Sequence, residues 1–236
     1  MGGTAEAREL AARLVSLGHE VTTSLAGRTQ DPILPQGRLR VGSFGGVPGL
    51  TAYLRAASIE RLVDSTHPYA EQMSRNASAA AEAIGIPLVR LMRPLWPEPA
   101  GAAWLEVQSF THAAAALLPG SQVLLTTGHS GLETLLARKD CRFVVRLIET
   151  PAFAMPENAS LLLTRPPYGI ADELALMERE GITHLVTKNS GGSQTAAKLE
   201  AARQLGVKII MIARPLYGPA TEVGTVEAAL AALSLA

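Results

Sequence analysis

Several features that would define a function class at once are scarce in this chain. Its 236 residues include a single cysteine, Cys141, which excludes a disulfide framework and a cysteine-based zinc site. The five histidines lack metal-ligand spacing, no run approaches the ~20 apolar residues of a membrane helix, and no signal peptide opens the chain. We therefore expect a soluble cytoplasmic protein with no metal and no membrane partner.

An excess of one charge is also lacking, because 21 Lys and Arg residues balance 21 Asp and Glu residues. A protein that neutralises many phosphates carries surplus positive charge. The aromatic content of 4% is low for a platform that stacks single-stranded bases. Nucleic acid is therefore not an expected partner, although a balanced total still permits a local basic pocket. The sequence does not disclose an oligomeric state, and a monomer is compatible with it.

What the chain does have is a regular alternation of strand-length apolar runs with helix-period segments. The pattern predicts strands at 21–26, 61–65, 87–92, 122–127, 143–148, 161–164, 184–187 and 208–213, and helices at 5–17, 70–84, 111–118, 132–137, 171–180, 195–205 and 226–233. Short apolar strands linked by amphipathic helices form parallel sheets with both faces covered. The predicted class is therefore α/β.

A composition break at 93–103, with three prolines, separates two regular stretches. It predicts two α/β lobes, residues 1–98 and 99–236, with a ligand cleft between them. One continuous sheet with a long loop is the alternative.

A glycine turn opens the first predicted helix. Gly2 and Gly3 would let a phosphate approach the backbone, Thr4 would cap the helix, and Glu6 lies in its first turn. A capped helix start without a ligand explains the same residues. A dinucleotide site also needs a strand before its glycine turn, and only Met1 precedes Gly2. We therefore expect that the first strand is missing, through a truncated or miscalled start.

Two further segments of the first half predict cofactor contacts. The strand at 21–26 carries Ser24 and is followed by Arg28, and an arginine there suits the 2′-phosphate of NADP. The second segment holds Thr66, His67 and Tyr69 between a strand and a helix, where they could position a nicotinamide and relay a proton. The alternatives without a ligand are a solvated loop arginine for the first segment and a capped helix with a packed tyrosine for the second.

The second half carries turns suited to anions. Lys188, Ser190, Gly191 and Gly192 follow a strand, and backbone N–H groups beside an ammonium form a carboxylate or phosphate cradle. A similar strand-to-turn pattern ends in Thr127, Gly128 and His129. Arg-Pro pairs follow apolar runs at Arg93, Arg165 and Arg214, which predicts arginines at the ligand-binding ends of strands. A flexible turn and a common strand stop would produce the same patterns.

Taken in order, these segments resemble the precorrin-6A reductase family of cobalamin biosynthesis. The matching motifs are Gly-Gly-Thr-x-Glu-Ala at 2–7, Ala-Gly-Arg at 26–28, Asp-x-Thr-His-Pro-Tyr-Ala at 64–70, Arg-x-x-Arg-Pro-x-Trp at 90–96, Thr-Gly at 127–128, Val-Thr-Lys-Asn-Ser-Gly-Gly at 186–192, Lys198, and Arg-Pro at 214–215. They span essentially the whole chain. The chain departs from the family in lacking the opening strand and in reading Arg-Pro-Pro-Tyr-Gly at 165–169.

The resemblance implies two Rossmann-like lobes and allows an arrangement in which the lobes exchange strands. It also implies NADPH as the cofactor, an anionic tetrapyrrole as substrate, and reduction of one macrocycle double bond to give precorrin-6B. The cofactor would contact Gly2, Gly3, Thr4, Glu6, Ser24, Arg28, Thr66 and His67. The substrate would contact Arg93, Thr127, Gly128, His129, Lys188, Ser190, Gly191, Gly192 and Arg214. The candidate proton donors would be His67 and Tyr69.

Three questions stay open from the sequence. No residue marks whether the substrate contains cobalt. A non-catalytic module that binds an anionic tetrapyrrole or NADP would show the same anion-binding segments. So would an unrelated α/β enzyme that uses Lys188 to anchor a phosphorylated substrate.

Overall fold

A computed structural model of the chain describes residues 1–27 and 33–234 and confirms the α/β class. In chain order the elements are α1 (Ala5–Ser16), β1 (Thr22–Leu25), β2 (Arg38–Val41), α2 (Gly46–Ala56), β3 (Leu62–Asp64), α3 (Glu71–Ile84), β4 (Leu88–Leu91), β5 (Trp104–Val107), α4 (Phe110–Ala116), β6 (Gln122–Leu125), α5 (Leu132–Leu136), β7 (Arg142–Leu147), β8 (Ala159–Leu163), α6 (Ile170–Arg179), β9 (His184–Lys188), α7 (Ala197–Gln204), β10 (Lys208–Ile212), β11 (Thr221–Val223) and α8 (Val226–Ser234). They form two compact units, Met1–Pro94 together with Pro215–Ala236, and Leu95–Arg214.

The first unit contains two small parallel sheets, β1-β2 and β11-β4-β3. The backbone of residues 1 and 2 lies between them. The Met1 amino group donates to the Val63 carbonyl at 2.7 Å, and the Met1 carbonyl accepts from the Ser65 N–H at 3.0 Å. The Gly2 N–H donates to the Ser24 carbonyl, also at 3.0 Å. These two residues therefore link β1 to β3 at the start of the glycine turn.

Helices cover both faces of the β11-β4-β3 sheet. Successive strand residues point to opposite faces, and in β4 Leu88 packs with α2 and α3 whereas Val89 packs with α1 and α8. Helix α3 ends where its sequence predicts, because Gly85 adopts a left-handed conformation with a φ of 71°. The unit thus has two apolar layers, one on each side of the sheet.

The second unit contains one six-stranded parallel sheet with the order β5-β10-β9-β6-β7-β8. The apolar residues of its two central strands, β6 and β9, are fully buried, as expected for a parallel sheet covered on both faces. From β6 the chain continues outward through β7 to β8, whereas from β9 it continues to β10 on the other side. The strand order therefore reverses between β6 and β9, and in open α/β sheets ligands bind at the carboxyl ends of strands flanking such a reversal.

Candidate functional site

The glycine turn of the first unit is built against β1. A Cβ atom placed on Gly2 would lie 2.8 Å from the Cγ2 of Thr23, and Gly3 has a φ of +119°. Thr4 caps α1 as predicted, because its Oγ1 accepts from the Ala7 N–H at 3.1 Å. The same hydroxyl donates to the Ser65 carbonyl at 3.0 Å. The Thr4 side chain is therefore occupied inside the protein, and its backbone N–H is the group available to an anion at the helix start.

The segment 64–70 is fixed by a buried ion pair. Asp64 and Arg90 are each 1% exposed, and the Arg90 Nε donates to an Asp64 carboxylate oxygen at 3.2 Å. The other Asp64 oxygen accepts from the Thr66 N–H at 3.2 Å and from the Thr66 hydroxyl at 2.8 Å. A Tyr217 hydroxyl donates to the Pro68 carbonyl and restrains the far end of the segment. This network holds Thr66 in place while leaving its hydroxyl oxygen as an acceptor.

The predicted proton donors lie next to each other on this segment. His67 is exposed, and its Nδ1 accepts from the Tyr69 N–H at 3.2 Å. The centroids of the His67 and Tyr69 rings are 6.0 Å apart. Because Nδ1 is an acceptor in this contact, the neutral imidazole carries its proton on Nε2. In that tautomer the second ring nitrogen of His67 is an N–H donor.

The carboxyl ends of β1 and β2 bring Ser24 next to an arginine that the sequence did not single out. Ser24 and Arg40 are register partners in the parallel pair, and the Arg40 Nη1 donates to the Ser24 hydroxyl at 3.4 Å. Arg28, predicted here, lies outside the described residues. The sequence does not predict a role for Arg40, because the Arg-Leu-Arg-Val segment at 38–41 lacks the apolar run that marks the other strands.

Two predicted ligand residues of the first unit contact each other. A guanidinium nitrogen of Arg93, which follows β4, lies 3.6 Å from a carboxylate oxygen of Glu6 in the first turn of α1. The second Glu6 carboxylate oxygen is buried and has no hydrogen-bond partner among the residues that the structure describes. Arg93 therefore offsets a negative charge beside the glycine turn, a role that its assignment to the substrate did not include.

In the second unit the topological reversal brings the two predicted anion turns together. Leu125 of β6 is the register partner of Val186 of β9, so both strands end at the same edge of the sheet. The Lys188 Nζ lies 3.5 Å from the Ser130 hydroxyl on the neighbouring turn. Thr127 is fully buried, Gly128 has a φ of +63°, and His129 is exposed. Burial lowers the pKa of Lys188 to about 8, so the ammonium is retained at neutral pH.

The Lys188–Gly192 turn is held by a side chain far away in sequence. Asn189 is 3% exposed and binds the Trp96 backbone twice, since its Oδ1 accepts from the Trp96 N–H at 2.8 Å and its Nδ2 donates to the Trp96 carbonyl at 3.2 Å. The Trp96 indole N–H donates to the Gly192 carbonyl at 2.7 Å, and the Arg214 Nε donates to the Asn189 carbonyl at 2.7 Å. Trp96 and Arg214 therefore fix both ends of this turn.

Buried charges lie behind the same turn. Lys198 is 3% exposed, its Nζ donates to the Thr195 carbonyl at 2.6 Å, and it lies 4.4 Å from the Trp96 ring centroid. Burial lowers the pKa of Lys198 to about 7, with the Arg146 charge acting in the same direction. Arg146 and Glu173 form a buried two-point ion pair with distances of 3.0 and 2.9 Å. In the sequence, Lys198 stands out only as part of a family motif, and no local pattern predicts the Arg146–Glu173 pair.

Across the described residues, 1–27 and 33–234, no group of three or more His, Cys, Asp or Glu side chains could hold a metal ion. Over the same residues no helix is both long and apolar enough to cross a membrane. In each unit, taken by itself, glycine turns, hydroxyls, backbone N–H groups and cations lie near the carboxyl ends of parallel strands, where they are suited to anionic organic ligands.

Comparison with known proteins finds similar chains over nearly the full length of the sequence. The family described as precorrin-6x reductase CbiJ/CobK matches residues 1–234. A precorrin-6A reductase of Rhodococcus erythropolis is 48% identical over 94% of this chain and 90% of its own, and a cobalt-precorrin-6A reductase of Priestia megaterium is 29% identical over 99% and 96%. A solved structure described as CobK precorrin-6A reductase superimposes with a TM-score of 0.92 and 37% identity, covering 99% of this chain and 94% of the other.

These findings first define the class: the chain is a Rossmann-like α/β oxidoreductase. More particularly, it belongs to the precorrin-6x reductase family. The fold and family expected from the sequence are therefore confirmed, and a non-catalytic binding module is not favoured.

Proposed function

We propose that this enzyme uses NADPH to reduce one carbon–carbon double bond of the precorrin-6A macrocycle, giving precorrin-6B in cobalamin biosynthesis. The observation that carries the proposal is the 48% identity, over 94% of the chain, to a protein named precorrin-6A reductase. Relatives named for the cobalt-containing compound include two at 29% and 33% identity. The difference in identity favours the cobalt-free macrocycle as the substrate.

The first unit fits a dinucleotide. A Cβ atom on Gly2 would lie only 2.8 Å from the Thr23 side chain, and α1 begins directly after the turn. We assign the cofactor phosphates to the backbone N–H groups of Gly2, Gly3 and Thr4, beside Glu6, and the 2′-phosphate to Ser24 and Arg28.

The segment from Thr66 to Tyr69 is our candidate for the nicotinamide end of the site. Bound NADPH would supply the hydride that reduces the double bond. The neighbouring carbon then needs a proton, and His67, Tyr69 and solvent are the candidate donors. The fixed Thr66 hydroxyl contributes orientation rather than acid–base chemistry.

The turns of the second unit fit the acetate and propionate groups that rim a precorrin. We assign carboxylates of the macrocycle to Lys188, to the backbone N–H groups of Ser190, Gly191 and Gly192, and to the turn at 127–129. Arg93 and Arg214 complete the proposed substrate set. Arg214 donates one N–H to the Asn189 carbonyl, which places its guanidinium beside this turn.

The test is to mix purified protein, NADPH and precorrin-6A and to follow nicotinamide oxidation together with the spectrum of the macrocycle. We expect stoichiometric NADPH oxidation with formation of precorrin-6B, and slower turnover of cobalt-precorrin-6A. Binding of precorrin-6A without NADPH oxidation would contradict the proposal and support a carrier. Oxidation of NADH as efficient as that of NADPH would remove the cofactor assignment alone.

A further inference from the structure

Arg40 occupies a defined place beside the proposed cofactor site. It is the register partner of Ser24 across the parallel β1-β2 pair, and each of the two residues stands one position before the end of its strand. Register partners on adjacent parallel strands project to the same face. The two side chains meet there, with 3.4 Å between the Arg40 Nη1 and the Ser24 hydroxyl oxygen.

The guanidinium of Arg40 is held rigidly by the loop that follows β2. Its Nη1 donates to the Gly42 carbonyl at 2.7 Å, and its Nη2 donates to the Ser43 carbonyl at 2.8 Å. Its central carbon lies 3.7 Å from the centroid of the Phe44 ring. The contact with the Phe44 ring together with two backbone bonds leaves the charged group little rotational freedom, so that little entropy remains to be lost on binding an anion.

The positive charge of Arg40 is not neutralised by a carboxylate among residues 1–27 and 33–234. Its bonds within that part of the chain go to carbonyl and hydroxyl oxygens and to aromatic rings, which are uncharged. Arg38, two residues earlier on the same strand, instead lies 3.6 Å from the Glu20 carboxylate. An arginine that is fixed, half-buried and without an acidic partner in the described part of the chain fits a ligand bearing a compact negative charge.

We propose that Arg40, beside Ser24, binds the 2′-phosphate of NADPH and thereby sets the preference for NADPH over NADH. This inference rests on the proposed use of NADPH. It adds to that proposal a specificity-determining residue on β2, supplied by a strand that the apolar pattern of the sequence does not predict. A planar guanidinium that retains its Nε–H can give a phosphate a directed, charge-assisted hydrogen bond.

The test compares Arg40→Gln with the matched control Arg38→Gln, which removes the same charge from the opposite end of β2. Binding of adenosine 2′,5′-bisphosphate and of AMP is measured by calorimetry, because the two probes differ in the 2′-phosphate. We expect Arg40→Gln to weaken bisphosphate binding about 10- to 100-fold and to change AMP binding less than about twofold. Arg38→Gln should leave both affinities within about twofold.

Two results would overturn the inference while the proposed function stands. Arg40→Gln could weaken both probes equally, which is the signature of a brace for the loop after β2, or it could weaken neither. If the unaltered protein bound AMP as tightly as the bisphosphate and used NADH as well as NADPH, the cofactor assignment would fail along with the inference. Should Arg40→Gln not fold, Arg40→Lys decides: loss of the planar fork should cost the bisphosphate several-fold and AMP nothing, and any other pattern rejects the role.

Discussion

Asn189→Ala should separate the support of the substrate turn from the general stability of the second unit. The change removes both hydrogen bonds to the Trp96 backbone and leaves a buried N–H and a buried carbonyl without partners. Each such group costs about 1–3 kcal/mol. We expect the free energy of unfolding to fall by roughly 2–4 kcal/mol, because water enters part of the space left by the amide.

The functional effect of Asn189→Ala should appear in the KM for precorrin-6A. The turn from Lys188 to Gly192 loses one of its fixed points, so the KM should rise about tenfold or more, with the KM for NADPH unchanged. Urea unfolding and steady-state kinetics with each substrate varied are the measurements.

Asn158→Ala is the matched control for this variant. Asn158 also binds two backbone groups of the second unit, the carbonyls of Arg138 and Cys141, but it precedes β8 at the amino end of the sheet. This variant should lose stability without changing either KM. If Asn189→Ala behaved like Asn158→Ala, with stability lost and both KM values intact, the turn would not be a substrate contact.

Three further predictions concern buried charges. Because the pKa of Lys188 is lowered to about 8, kcat/KM for precorrin-6A should fall above pH 8. Lys188→Gln should lower kcat/KM roughly 10- to 100-fold at neutral pH and should remove its decrease above pH 8. Asp64→Asn leaves Arg90 buried with Glu222 as its remaining acidic partner and should cost about 3 kcal/mol in urea unfolding, whereas Glu222→Gln, at an exposed carboxylate, should cost less than about 1 kcal/mol. The pKa of Lys198 is lowered to about 7 in the folded state, so the unfolded chain binds more protons above pH 7 and stability should rise from pH 7 to pH 9; Lys198→Met should make that rise shallower.

Apolar periodicity predicts the buried part of the fold and misses its edges. All eight strands expected from the sequence are present. The strands that it did not predict, β2, β5 and β11, are short, largely exposed and located at sheet edges, where packing does not demand an apolar run. Helix α2 was missed because it begins with Gly-Val-Pro-Gly, residues typical of a turn. Its helical state depends on packing of Leu50 and Leu54 against α3 and β3.

The candidate site divides in the same way. Local patterns predict the Thr4 cap of α1 and the position of Lys188 at the end of a strand. They also predict the glycine turns, because a strand end followed by glycine or a capping residue is a short-range feature. The supports came from distant parts of the chain: Trp96 lies 93 residues from Asn189, and Arg40 lies 16 residues from Ser24. No pattern within a single helix or strand predicts such partners, because they come together only when the strands are arranged in the sheet. The roles of His67, Tyr69, Arg93, Lys188 and Arg214 towards a ligand stay predictions.

The measurement that tests the central claim most directly is the transfer of deuterium from the cofactor to the macrocycle. Precorrin-6A is converted with NADPH that carries deuterium at the transferable C4 position, and the isolated product is weighed by mass spectrometry. Hydride transfer within the enzyme predicts a product one deuterium heavier than that formed with ordinary NADPH, with the second added hydrogen taken from solvent. A product without deuterium, or a macrocycle returned unchanged, would contradict the account.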